Sequence, residues 1–150
     1  MKSKTKIKNT PSKALDELEK LNKSLRGNNA VRVGLPKGSN AYPDGTSVIM
    51  VGAVHEFGSP SRGVPQRSYL RSTLNTKRPN YKEMFKKLGR QIVQGTLSKK
   101  KALGLLGLQL QTDVREKITD IDTPELKHRE GNPLIDTGHL RDSITYEVEA

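Results

Sequence analysis

The sequence contains no cysteine and no tryptophan. The first absence excludes disulfides and thiolate metal sites. The second, with 2 Phe and 4 Tyr as the whole aromatic complement, leaves Leu, Ile and Val to build the core. No apolar run approaches the roughly 20 residues that a membrane-spanning helix needs. The opening MKSKTKIKNTPSK has no apolar core behind its lysines, so it does not read as a secretory signal. The expectation is a soluble, intracellular protein without a membrane partner. Acids are also scarce, 16 Asp plus Glu against 27 Lys plus Arg, for a net charge of +11.

The 150 residues suit one domain with a modest core. Hydrophobic residues make up 32% and charged residues 29%, which is polar for a globular chain but not polar enough to predict disorder throughout. Such a composition suits a protein that draws part of its stability from a partner. The basic excess is uneven. Residues 1–13 hold five lysines and no acid, and residues 77–101 hold nine basic residues against Glu83 alone. Residues 142–150 carry three acids and no base. This polarity points to an anionic partner or to head-to-tail packing between copies, against the simpler reading of a solvated basic face.

Residues 1–11 read as a disordered basic arm, and 12–150 as a single domain. PSKALDELEKLNKSLRG reads as a helix: Ser12 is the N-cap candidate, Leu15, Leu18, Leu21 and Leu25 recur at three and four, and Gly27 stops it. AVRVGLP reads as a strand with Val31, Val33 and Leu35 on one face, and SITYEVEA as a second strand that pairs with it. SVIMVGAVHEFG is ambiguous. Its β-branched residues favour a strand, while Ile49, Ala53 and Phe57 fit a helical stripe, so a helix-like turn with an extended end is the expectation. QRSYLRSTL should be a short helix or turn. Over about 79–118 the spacing of Tyr81, Phe85, Leu88 and Ile92, then Leu103, Leu106, Leu110, Val114 and Ile118, predicts two helices or one kinked helix, weakened at Gly95-Thr96. Gly104 and Gly107 within it point to a close backbone approach. DTGHLRDS reads as a short helix or turn capped by Asp136 or Thr137. The fold class is therefore α+β. A small mixed sheet, with strands near 30–35 and 142–149 and a further candidate at 47–57, packs against the N-terminal helix and the helical region at 79–118.

Enzyme templates fail on spacing. HEFGS is not H-E-x-x-H, because residue 59 is Ser, and His55, His128 and His139 lie in separate segments. Adjacent residues such as His55 and Glu56 diverge by about 100° on a helix and point to opposite faces of a strand, so they do not address one substrate. The structural reading is that one of them bonds the backbone of the loop that follows. The acids Asp113, Glu116, Asp120, Asp122 and Glu125 lack calcium-loop spacing. Phosphate-binding glycine motifs and a G-x-S-x-G elbow are missing as well. Neither catalysis nor a cofactor is expected. The basic stretch, with Lys82, Lys86, Lys87, Arg90, Lys99, Lys100 and Lys101, is the candidate contact for DNA in a channel or for another anionic partner. It lacks the interleaved aromatics of single-strand binders and any sequence-reading motif, so such contact would be non-specific.

Two segments, VGAVHEFGSPSRGVPQRSYLRSTL and NPLIDTGHLRDSITYEV, resemble the signature blocks of tailed-phage virion morphogenesis proteins, the tail-completion or neck proteins. The matches are His55, Glu56, Phe57, Gly58, Pro65, Arg67, Leu70 and Arg71, followed by Pro133, Leu134, Asp136, Thr137, Gly138, Leu140, Ser143 and Ile144. One departure is Ser68-Tyr69, where the family usually has Pro-Phe, which makes the turn less rigid but keeps an aromatic. The resemblance implies a structural protein of the virion that joins head and tail or completes the tail, working in the host cytoplasm during assembly. It implies a ring around the DNA channel, hexameric by the same resemblance, in contact with neighbouring neck and tail proteins. Head-to-tail contacts that close by rotation would build such a ring. On this reading Glu56, Phe57, Gly58, Pro65, Arg67, Tyr69, Arg71, Asp136, Thr137 and Gly138 shape the loop or form the subunit interface. Phe57 would anchor core or interface, Gly58 would take a special backbone conformation, and Pro65 would fix the exit of the loop. Arg67 and Arg71 would reach carboxylates or carbonyls of a neighbour, and Gly138 would allow close packing. The alternative is a non-specific, DNA-associated basic protein.

Overall fold

The computed structural model describes residues 13–27, 29–125 and 131–149. The expected arm at 1–11 and the Ser12 cap lie outside them. In chain order the elements are α1 (Lys13–Leu25), β1 (Ala30–Gly34), α2 (Val48–Phe57), a single 3₁₀ turn (Pro60–Arg62), α3 (Leu70–Val93), α4 (Lys99–Asp120), α5 (His139–Asp142) and β2 (Thr145–Glu149). The fold is α+β.

The two strands pair as expected, antiparallel, with Ala30 opposite Glu149 and Gly34 opposite Thr145. The sheet is two-stranded and antiparallel rather than mixed, because the 47–57 candidate is a helix. Two caps override the β-branched composition there. Ser47 Oγ accepts from Met50 N at 3.4 Å, and Gly58 closes the helix at φ 76°. The helix continues through Phe57, so the expected extended end does not form.

The basic region is two helices, broken where Gly95 takes φ 71° and restarted by Ser98, whose hydroxyl accepts from Lys101 N at 3.3 Å. The first of the pair begins at Leu70, nine residues before the predicted start, and passes through Pro79 without ending. The short element expected at 66–74 is thus its first turn.

The helix that packs most extensively beneath the sheet is α4. Tyr146 of β2 lies over Gly107, where an added Cβ would stand 2.8 Å from the ring Cγ; Gly104, one turn away, comes only within 4.0 Å of the hydroxyl. Of the two glycines read as a close-approach pair, Gly107 carries that function. Arg115 holds the entry to β2, donating from Nη2 to the carbonyls of Ile144 at 2.8 Å and Asp142 at 3.1 Å. Gln111 adds a 3.1 Å bond to Ile144 O. The buried core joins Val48, Tyr69, Val114, Ile118, Ile121, Leu134, Leu140 and Ile144. By contrast α1 leaves Leu15 and Leu18 exposed.

Asp113, also buried, ties α3 to α4. It accepts from Lys77 Nζ and Tyr81 OH, both at 2.7 Å, and from Gln109 Nε2 at 3.1 Å. Burial alone would raise its carboxyl, but these donors outweigh burial and hold it below the usual range.

The glycine pair makes the packing testable. Gly107→Ala should destabilise the protein by about 1–3 kcal/mol, because the Tyr146 ring must move. Gly104→Ala has room for its methyl and should be neutral or stabilising by up to about 1 kcal/mol. Thermal unfolding of both variants checks the contrast; equal effects would contradict the placement of Tyr146.

Candidate functional site

The last turn of α2 carries His55-Glu56-Phe57, and the chain then loops from Gly58 to Tyr69 before α3 begins. A helix start exposes N–H groups that have no partner within the helix. Here Tyr69 occupies the N-cap position and provides no side-chain cap. Glu56 supplies it from α2. Its Oε2 accepts from Tyr69 N and Leu70 N at 2.8 Å each. Its Oε1 accepts from Ser68 Oγ at 2.7 Å, Arg71 Nε at 2.9 Å and Arg71 N at 3.2 Å. Burial would by itself raise the Glu56 carboxyl; the bonds from Leu70, Ser68 and Arg71 prevail and hold it below the ordinary glutamate value.

The loop between is fixed at both ends. Arg67 N donates to His55 O at 2.8 Å, and Gln66 Nε2 to Glu56 O at 3.0 Å. At its tip Ser59 and Val64 form an antiparallel bridge with N···O distances of 2.8 and 3.0 Å. Gly58 has the expected requirement: its φ is positive, and a Cβ would come within 3.0 Å of Gln66 N. Pro65 is half-buried at the loop's exit.

Two expectations need correction. Arg67 is buried, and it donates to the carbonyls of Pro124 at 2.7 Å and Glu125 at 3.1 Å in its own chain. Arg71 bonds both the carboxylate and the carbonyl of Glu56. Arg67 is thus committed within its own chain, whereas the Arg71 side chain remains exposed. Each was read as an interface arm because a guanidinium suits carbonyls and carboxylates; the chain itself provides those acceptors. Phe57 is no core anchor, being 63% exposed, and Arg71 Cζ sits 4.7 Å above its ring. Tyr69 is fully buried, and its hydroxyl is pushed up by burial and then by the Glu56 charge.

His55 and Glu56 diverge as helical neighbours must. The His55 Nδ1 is buried and, among the described residues, has no hydrogen-bond partner. Burial first and the Arg67 charge second lower its pKa, so the ring is neutral at pH 7.

The second motif block folds back onto α2. Asn132 anchors this block to α4: its Nδ2 donates to Ile118 O at 3.1 Å and Thr119 O at 2.6 Å at the end of that helix, while its Oδ1 accepts from Leu134 N at 2.7 Å and Ile135 N at 3.0 Å. Of the two cap candidates for α5, Thr137 Oγ1 accepts from His139 N at 3.3 Å, and Gly138 turns at φ 78°. An open cleft of about 240 Å³ results, with Val51 and His55 on one side, Leu134, Asp136, Thr137 and His139 on another, and Tyr42 closing it. His139 donates from Nε2 to Asn40 O at 2.9 Å and meets Tyr42 edge-to-face at 4.7 Å. Among the described residues no group of three His, Asp or Glu is placed to hold a metal ion.

The basic candidates stay on the surface. Lys82, Lys87, Arg90, Lys100 and Lys101 are exposed, Lys86 pairs with Glu83 at 2.8 Å, and Lys99 is half-buried. Sequence reasoning missed Asp113, Asn132 and Arg115 as anchors. Polar residues inside amphipathic helices or in a polar loop carry no local sign that they face inward, although the Asx-type start of NPL is a turn signal. Compared with family models, curated proteins and solved structures, the chain matches none.

The Glu56 cap predicts an acid-sensitive fold. Because its folded pKa lies below the unfolded value, its contribution is full above the unfolded pKa of about 4.3 and is lost as pH falls through the folded value. Glu56→Gln should cost about 2–3 kcal/mol at pH 7 and flatten the decline of stability below about pH 4.5. Urea unfolding from pH 3 to 7 measures both; an unchanged pH slope would remove Glu56 as the source.

Proposed function

We propose that this chain is a structural protein of a tailed-phage virion, acting at the head–tail junction as one subunit of a ring around the DNA channel. The observation that supports this most is the meeting of the two resembling blocks. His55 and Val51 of the first share one cleft with Leu134, Asp136, Thr137 and His139 of the second, some 80 residues later in the sequence. The pattern that suggested the family is thus one three-dimensional unit. Its polar residues serve as caps and loop anchors, which suits a protein that works by binding.

Within that role, Phe57 is the contact residue on the clamped loop. It presents an aromatic ring to solvent on a backbone held by Glu56, Gln66 and Arg67, and rigid presentation lowers the ordering cost of binding.

A second reading has its own observation. The exposed Lys82, Lys87, Arg90, Lys100 and Lys101 give one end of the α3–α4 hairpin a basic surface, which suits non-specific contact with duplex phosphates. Binding of free duplex with steep salt dependence would favour this reading; no binding at low salt would remove it.

The joining role is tested in a phage carrying this chain. A stop codon in its reading frame should leave DNA-filled heads and separate tails, and Phe57→Ala should leave a folded subunit that restores few infectious particles. Normal particle yield without the chain would overturn the proposal.

A further inference from the structure

The amphipathic α1 and the turn end of the α3–α4 hairpin are the two surfaces the fold leaves unexplained. Along α1, Leu15 and Leu18 are exposed at 55% and 60%, and Leu25 at 44%. At 100° per residue, Glu17 and Glu19 border this leucine stripe, each about 100° from its centre, while Lys20 and Lys23 fall on the back of the helix, about 150° away. The stripe therefore has acidic edges.

The hairpin offers the complement. An apolar groove of about 130 Å³ is lined by Phe85, Leu88 and Ile92 of α3 and by Ala102, Leu103 and Leu106 of α4. Lys99 lines it as well, and Lys82, Lys86 and Lys100 follow about 70–110° round their helices from its centre. Its border is basic. Among the described side chains of the chain's own α1, Leu25 at its C-terminal end lines the groove. Leu18 and Leu15 lie about 10 and 15 Å farther along the helix axis at 1.5 Å per residue.

We propose that α1 of one copy docks, leucine face first, in the α3–α4 groove of a second copy, with Glu17 and Glu19 against the lysines that border it. The occupant is chosen by charge: an acid-edged apolar helix fits a base-edged apolar groove, and one chain carries both. Because the two surfaces are different, the contact is heterologous and repeats head to tail. It supplies the subunit contact of the ring and rests on that reading only for closure of the ring.

Sedimentation velocity of the full chain over a concentration series tests it. The parent should self-associate, more weakly as salt screens the acidic and basic edges. Leu18→Arg and Phe85→Glu, both at exposed positions, should each weaken association about tenfold or more while circular dichroism stays unchanged. Mixed together, the two variants should form a heterodimer and nothing larger, since each retains one intact surface. Should Phe85→Glu perturb α3, Lys99→Glu with Lys100→Glu takes its place. A parent that remains monomeric, variants that associate like the parent, or a mixture that forms no heterodimer would each overturn the docking. So would vesicles of phosphatidylcholine and phosphatidylglycerol that capture the parent but not Leu18→Arg, which would assign the stripe to a lipid surface. Failure here leaves the joining role to the stop-codon experiment, and failure there leaves the docking to sedimentation.

Discussion

One carboxylate governs how the two halves of the first motif block are held. Glu56 lies at the end of α2, yet its acceptors serve the first turn of α3, thirteen to fifteen residues later. A helix N-terminus is electrically positive and has unpaired donors, so a buried anion is well placed there. Taking the carboxylate out of water is unfavourable by several kcal/mol, and charge-assisted bonds from backbone, Ser68 and Arg71 offset that cost. The same bonds force the intervening chain to return to its starting point. Gly58, Ser59, Val64 and Arg67 then follow as the conformations that permit the return.

The remaining polar anchors extend this arrangement outward. Arg67 leaves the clamped loop and takes the carbonyls of Pro124 and Glu125, past the end of α4. Asn132 takes the last carbonyls of α4 and directs the second motif block toward α2. Asp113 fixes α4 to α3, and Arg115 fixes α4 to the start of β2. The central helix is thus joined by charged or amide side chains to α3, to the start of β2 and to the second motif block. A small apolar core could not set these relations alone: apolar packing is non-directional, whereas each of these bonds specifies a distance and an angle.

The elements with a strong period were legible in the sequence: α1, both strands with their pairing, and α4. The leucine spacing marks helices, and the strict alternation of Ile144, Tyr146 and Val148 marks a strand, although the α1 leucines Leu15, Leu18 and Leu25 stay exposed. The segment at 47–57 was not legible, because β-branched propensity and capping residues disagree there and capping prevails. The start of α3 was missed for a related reason. Its cap comes from Glu56, far from the helix in sequence, so no local start signal precedes Leu70. Within the candidate site, residue types were legible but destinations were not. Arg67 and Arg71 stand out in the sequence as anchors, but a guanidinium declares what it bonds and not whose acceptor it finds: both bond within their own chain, and Arg71 stays exposed as well.

Those intramolecular bonds bear on how this protein can recognise a partner. Turning Arg67 outward would give up its bonds to the Pro124 and Glu125 carbonyls and pull a buried side chain out of its packing. Arg67 is therefore committed to the fold, and Glu56 for the same reason. The exposed apolar groups available to another molecule are Phe57 on the clamped loop, beneath Arg71, the leucine stripe of α1, and the apolar groove with its lysine border on the α3–α4 hairpin. All three couple an apolar centre to nearby charge. Such surfaces gain affinity from burial and orientation from charge, and they need no rearrangement of the polar anchors within. The division of labour follows from composition: with few aromatics and a small core, the chain assigns its directional bonds to holding itself together and leaves apolar residues outside for contact.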